Sequence, residues 1–243
     1  MDRLYIVIPA YNESDNIKKT IEDWYPVVEK YNGGDRSRLV IVNDGSKDNT
    51  YEIMQEMAKD RPLFIPLTKP NGGHGSAVLY GYRYAVLHGA DYVFQTDSDG
   101  QTDPSEFHAF WKIRERYDAV IGVRKHRGDG IQRSIVEKVV CILLWMFFCV
   151  RVNDANAPFR LMRADKLKKY IKKMPKNYHL PNIMLTTFFV HYKERVKFRE
   201  ISFKSRQGGK NSINIKRIFR IGIQALGEFR NFRKKMKKES GAT

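Results

Sequence analysis

Short apolar runs alternate with amphipathic stretches through the first half of the chain, and that alternation leaves few architectures open. The runs at 4–8, 39–43, 63–67, 92–96 and 119–123 have the length and the β-branched and aromatic content of buried strands, while 14–31, 49–60, 74–89 and 104–117 are expected helices. Strands separated by helical crossovers build a central, mostly parallel sheet flanked by helices, so the expected fold class is α/β. Ser14 and Asp103 are the expected helix N-caps, with Gly33-Gly34 and Gly89 as stops. A chain of 243 residues, 42% of them hydrophobic, fits one large domain with a substantial core.

In such sheets ligands bind outside the carboxyl ends of the strands, and the chemistry-bearing residues of this sequence fall there. Asn12 and Glu13 follow the first run, Asn43-Asp44-Gly45-Ser46 the second, and Asp97, Asp99, Gln101 and Asp103 the fourth. Hard oxygen ligands of this kind suit Mg²⁺ or Mn²⁺, which keep open positions for substrate phosphate oxygens. An isolated Asp-x-Asp can equally be an acidic turn that caps the next helix.

The second half changes character. Residues 1–118 carry 14 Lys/Arg against 19 Asp/Glu, and residues 119–243 carry 30 against 8. A half so basic calls for an anionic neighbour, either nucleic acid or an anionic membrane surface. Within 135–150 an apolar run extends from Val139 to Val150, too short for the roughly 20 residues of a membrane span; a core helix and a helix lying in a membrane interface both fit it. Further on, Ile215, Ile218, Phe219, Gly222, Ile223, Leu226, Phe229 and Phe232 recur at helical spacing among many cations, which predicts a basic amphipathic helix. That helix either packs on its own domain or meets an anionic surface. Cys141 and Cys149, the two cysteines, sit in the apolar segment and support neither a disulfide framework nor a zinc site. A reducing compartment and no export are expected, since the N-terminus lacks signal-peptide features.

Six motifs in order carry a resemblance. Pro9-Ala-Tyr-Asn-Glu13, Val42-Asn-Asp-Gly-Ser46, Asn71-Gly-Gly-His-Gly-Ser-Ala77, Asp97-Ser-Asp99, Asp154-Ala-Asn-Ala-Pro-Phe-Arg160 and Arg206-Gln-Gly-Gly-Lys-Asn-Ser212 together resemble the inverting nucleotide-sugar glycosyltransferases of family 2, which have the GT-A fold. The apolar helix ahead of Asp154 and the sequence Asp97-Ser-Asp-Gly-Gln-Thr-Asp-Pro104 look most like the branch that transfers sugars to polyprenyl or dolichyl phosphate. The resemblance implies a transferase domain over 1–212, divided into a nucleotide-binding half (1–123) and an acceptor half (124–212), followed by the basic helix and tail of 213–243.

It also implies roles. Pro9, Tyr11, Glu13, Asp44 and Asp97 would bind the donor, with Pro9 ending the first strand. Asp97, Asp99 and Gln101 would hold Mg²⁺ or Mn²⁺, and Arg206 or Lys210 on a glycine-hinged loop would clamp the leaving diphosphate. Ser212 stands where that branch usually has lysine. For the acceptor, Arg124, Arg133 and Ser134 could hold a phosphate beside the apolar helix, with Asp154 and Arg160 as further acceptor-binding residues. A hydroxyl acceptor needs a positioned base, commonly an acid near the start of the helix expected around 179–183, yet no Asp or Glu occurs between Asp165 and Glu194. The sequence therefore favours a lipid phosphate acceptor at the cytoplasmic face of a membrane. A glycan hydroxyl is the alternative, with Asp154 as the base. His74 is expected to make a structural hydrogen bond. No nucleic-acid-binding module is legible, and an integral-membrane partner or a second copy of the chain could supply further anchorage.

Overall fold

The computed structural model describes residues 2–34, 36–124, 131–204 and 215–240; in the helices that open the last two stretches, side chains are described from Val136 and from Gln224. The first half alternates as expected: β1 (Leu4–Ala10), α1 (Ile17–Lys30), β2 (Arg38–Asn43), α2 (Thr50–Ala58), β3 (Phe64–Thr68), α3 (His74–Leu87), β4 (Tyr92–Gln95), α4 (Phe107–Trp111) and β5 (Ala119–Arg124). Then come α5 (Ile131–Phe148), β6 (Arg160–Arg163), α6 (Ala164–Ile171), α7 (Pro181–His191), β7 (Val196–Ile201) and α8 (Ile215–Ser240).

Among the described residues the strands form one seven-stranded sheet in the order β3-β2-β1-β4-β6-β5-β7. All neighbours are parallel except β6, which runs antiparallel to both β4 and β5. The chain winds outward from β1 to β3 and then returns to place β4 on the other side of β1. The crevice beyond the carboxyl ends of β1 and β4 is thus a topological switch point, where such sheets bind ligands.

Strand side chains alternate between two cores because successive Cβ atoms point to opposite faces. Leu4, Ile6, Ile8, Leu39 and Ile41 join Trp24, Phe94 and Phe107 on one face; Tyr5, Val7, Val40 and Val42 join Tyr82, Tyr170 and Phe188 on the other. At Gly81 the body of α3 lies so close to β1 that an added Cβ would collide with Val7. The four helices of the basic half all contribute to that second core. In α5, Leu144 and Phe148 point inward, and in α8 the residues Ala225, Phe229, Phe232 and Met236 are buried. Phe229 meets Phe148 edge-on at 5.6 Å, and Phe232 meets Tyr178 at 5.4 Å. Packing on the domain therefore accounts for the described apolar face of α8. Among the described residues no helix is long and apolar enough to cross a membrane.

Three local expectations are corrected. The helix expected over 104–117 is interrupted: a 3₁₀ turn (Pro104–Glu106) leads into α4, and a second one (Arg114–Arg116) follows. The Arg114 guanidinium donates to the Trp111 carbonyl, which a continuing α-helix would need for its own i→i−4 bond. Asp103 does cap, accepting from the Ser105 N–H, but Ser14 does not: its N–H donates to Asp48, and α1 opens on the Glu13 carbonyl, which accepts from Asn16 and Ile17. Pro9 does not end β1, which continues to Ala10. The Val7 carbonyl faces β4 and the Ala10 carbonyl faces β2, so the missing N–H of Pro9 points past Gln95, where pairing with β4 has already stopped.

Candidate functional site

The site grows from four chain segments that leave the carboxyl edge of the sheet. After β1, Asn12 adopts a left-handed conformation (φ 52°), its N–H donating to Ser46 Oγ and its side-chain oxygen accepting from the Lys47 N–H. The loops after β1 and β2 are stitched together by these bonds. Tyr11 stands at their rim, 43% exposed, while Glu13 is buried and accepts from Asn16 Nδ2.

Asp44, at the end of β2, has a role that its position alone did not reveal. Its Oδ1 accepts from Lys69 Nζ and from the Gly72 N–H (3.0 Å), and its Oδ2 accepts from the Gly73 N–H (2.7 Å). The carboxylate, 2% exposed, holds the glycine turn that launches α3. Asp44 is expected as a donor contact, and in this structure its carboxylate also organises the turn on the donor side. Gly45 (φ 65°) permits this approach, since a Cβ there would come within 2.8 Å of the Asn71 nitrogen.

The acidic turn after β4 is built on a buried amide chain. Tyr82 Oη donates to Asn182 Oδ1 (3.2 Å), Asn182 Nδ2 to Gln95 Oε1 (3.0 Å), and Gln95 Nε2 to Asp97 Oδ1 (3.0 Å). All three feeding residues are 2% exposed or less. His74, first residue of α3, bonds the same Asp97 oxygen at 3.1 Å, so the expected structural histidine bond joins the turn to α3. Burial alone would push the Asp97 carboxyl up, but His74, Arg124 and Arg160 hold it below the usual carboxylate range. Burial would lower His74, yet Asp97, Asp99 and Asp44 hold its imidazole above the ordinary histidine value. Asp99 accepts from the Gln101 N–H (3.2 Å), and the Thr96 and Thr102 hydroxyls close the turn at 2.7 Å.

Gln101, the third expected ligand, is held by its amide nitrogen. Its side chain is buried and its Nε2 donates to the Lys204 carbonyl (2.9 Å), whose residue returns an N–H to the Gln101 carbonyl (2.8 Å) and a salt bridge to Asp103 (3.0 Å). Gln101 thus fixes the chain leaving β7 beside the acidic turn. Asp97 and Asp99 are hard carboxylate donors that fit Mg²⁺ or Mn²⁺. Among the described residues no three His, Cys, Asp or Glu side chains converge as a ready cation cage. The set suits an ion that completes its shell with substrate oxygens.

The acceptor expectations are largely redirected. Arg160 is fully buried, and its guanidinium donates to the carbonyls of Ala155, Ala157 and Asn182 and to Thr186 Oγ1. With every nitrogen committed, it ties β6 to α7 and does not reach an acceptor. Arg124 forks onto Asp154 at 2.7 and 2.8 Å, with Glu137 of α5 nearby at 3.8 Å, so neither member of that buried pair stands ready as a phosphate clamp or a base. The side chains of Arg133 and Ser134, on the first turn of α5, and the residues Arg206, Lys210 and Ser212 lie outside the described residues.

Lys69, Gln95, Asn182 and Lys204 were not singled out from sequence. Gln95 carried one signal: it is the polar end of an otherwise apolar strand, buried at the site edge. Lys69 and Lys204 looked like ordinary surface charge.

An open α/β sheet with a paired-carboxylate turn at its switch point defines a nucleotide-sugar transferase fold of the GT-A type. The chain belongs to glycosyl transferase family 2, whose model matches residues 5–171. It is 26% identical over 225 residues to an undecaprenyl-phosphate 4-deoxy-4-formamido-L-arabinose transferase of Shewanella sediminis, covering 88% of this chain and 65% of that one. It is also 34% identical over 178 residues to a dolichyl-phosphate beta-glucosyltransferase of Trichomonas vaginalis, covering 68% of this chain and 54% of the relative. The chain thus spans between about half and two thirds of these relatives' lengths. The fold is similar to glucosyl-3-phosphoglycerate synthase from Mycobacterium tuberculosis, solved with Mn²⁺ and uridine-diphosphate-glucose, with a TM-score of 0.68 at 16% identity over 95% of this chain and 79% of that one.

Proposed function

We propose that this protein is a divalent-cation-dependent, inverting glycosyltransferase that moves a sugar from a nucleoside diphosphate to a polyprenyl- or dolichyl-type lipid phosphate at the cytoplasmic face of a membrane. The observation that carries the donor half is the turn of Asp97 and Asp99 at the switch point, with Asp97 aimed by Gln95 and His74. Asp97 and Asp99 would hold Mg²⁺ or Mn²⁺, which supplies Lewis-acid neutralisation of the departing diphosphate. Tyr11 offers an exposed aromatic face to the nucleoside. Arg206 and Lys210, on the segment that Gln101 and Asp103 anchor through Lys204, would supply cationic donors to the same diphosphate.

The acceptor half rests on chemistry at the start of α7. Asn182 occupies that position, and its amide is committed to Tyr82 and Gln95. An amide cannot take a proton from an attacking hydroxyl, whereas a phosphate acceptor arrives ionised and needs no base. The names of the two sequence relatives agree with this acceptor class. Arg133 and Ser134 are the acceptor contacts kept in this reading. Incubating the protein with radiolabelled UDP- and GDP-sugars and either polyprenyl phosphate or an oligosaccharide tests it. Acid-labile label entering the organic phase supports it, and label confined to the oligosaccharide contradicts it.

A further inference from the structure

The outer face of α5 is an uncovered apolar ridge. Val136, Val139, Ile142, Trp145 and Met146 are 37%, 49%, 56%, 51% and 57% exposed, although Leu144 and Phe148 of the same helix are buried. Val139, Ile142 and Met146, spaced three and four residues apart, share one side of the helix, and Val136 and Trp145 flank it, so together they form a broad apolar face along about three turns. Lys138 is also exposed on this face, while Glu137 is turned inward to the Ala155 N–H and to Arg124. Alongside, α8 packs on α5 through Phe229 against Phe147 and Phe148. The groove at that seam is lined by Phe147 together with Arg230, Arg233, Lys234 and Lys237. Apolar stripe and cationic groove therefore adjoin through one helix pair.

We propose that this helix pair is a docking face for an anionic phospholipid leaflet, with the α5 ridge entering the acyl boundary and the α8 groove taking headgroup phosphates. The two chemistries match the two layers of a leaflet: a helix lying in the interface buries its apolar stripe while its cations stay at the headgroups. Arginine forks and lysine ammonium groups both bind phosphate. A second copy of the chain is a poorer occupant, because a two-fold contact across the ridge would bring two cationic α8 helices together. Nucleic acid would satisfy the groove but leave the ridge in water. The inference deepens the peripheral-membrane part of the proposed function and does not depend on the identity of the acceptor.

The molecule carries its own reporter. Of the three tryptophans, Trp24 and Trp111 are buried and Trp145 is on the ridge. The whole protein, without donor or acceptor, is mixed with vesicles of phosphatidylglycerol and phosphatidylcholine, or of phosphatidylcholine alone, and followed by flotation and by quenching with brominated lipid. Flotation and Trp145 quenching are expected with the anionic vesicles. The variant Val139→Gln/Ile142→Gln should weaken flotation by about tenfold or more. In Arg233→Gln/Lys234→Gln/Lys237→Gln it should fall by about fivefold per charge removed, with a shallower salt dependence. Both variants change exposed side chains, so unaltered thermal melts will show that the fold is kept. Absence of quenching, flotation unchanged in either variant, preference for duplex DNA over vesicles, or a dimer abolished by the α5 substitutions would each overturn the proposal. Transfer to a detergent-dispersed polyprenyl phosphate tests the acceptor reading separately.

Discussion

At the scale of single residues, the candidate site separates side chains that meet ligand from those that aim them. Asp99→Ala should abolish transfer by on the order of 10²–10³-fold or more, because metal-assisted charge stabilisation supplies several kcal/mol, while leaving the thermal melt nearly unchanged, as expected of a loop carboxylate. Retained turnover in a Mn²⁺-supplemented assay would remove Asp99 from the cation site. Gln95→Leu tests the aiming role. It deletes the Nε2 donation to Asp97 and orphans the buried Asn182 amide, costing about 1–3 kcal/mol of stability, and kcat should fall by about 10- to 100-fold as for a lost outer partner of a ligand. If kcat is unaltered when KM and melting temperature shift, Gln95 serves the fold alone. Asp44→Ala should weaken donor affinity, in part by releasing the glycine turn. Comparison with Lys69→Met, which removes one of the same turn's bonds, checks that route: the two variants should weaken binding in the same direction.

Among the elements, α8 and α3 bear the most informative packing. Phe229 is 1% exposed in the main core, so Phe229→Ala should cost about 3–5 kcal/mol, measured by denaturant unfolding, and truncation before it should destabilise the whole domain besides reducing membrane affinity. A truncated protein that melts like the full chain would contradict this packing. The alternation of β1 to β5 with their helices was legible because each apolar run is short, bounded and periodic. Less legible were β6 and β7. The first is four residues that begin on a buried arginine, and the second, Val-Lys-Phe-Arg-Glu-Ile, reads as an exposed edge, which its place at the end of the sheet explains. The acidic turn was legible from its spacing. Its supports were not, because Tyr82, Gln95, Asn182 and Asp97 are brought together only by tertiary packing. The same holds for Arg160 and the Arg124–Asp154 pair, which the sequence offers as acceptor-binding groups and to which burial gives internal partners.

Over the whole molecule, charge is divided between an acidic first half and a basic second half, and partly buried ion pairs tie the elements together. Burial would raise the Asp118 carboxyl, but Arg195 donates to it from its backbone N–H and its guanidinium and holds it below the usual range. Glu194 is held low in the same way, against burial, by Lys166 and Tyr170. Since both native carboxyls ionise more readily than in the unfolded chain, the stability they contribute is present above the unfolded values near about 4 and is lost as pH falls through the lower native ones. Melting temperature should therefore drop on acidification below about pH 4, and Asp118→Asn should lower it at neutral pH while flattening the acid limb. An unchanged acid limb would assign the loss to other carboxyls. The central claim is that Asp97 and Asp99 hold a cation that grips the donor diphosphate. Titration calorimetry of the metal-stripped protein with UDP- and GDP-sugars, before and after adding Mn²⁺, tests it most directly. The expected result is uptake of one nucleotide sugar only with Mn²⁺ present, abolished in Asp99→Ala; binding indifferent to both the metal and the substitution, or no binding of either nucleotide class with Mn²⁺, would contradict it.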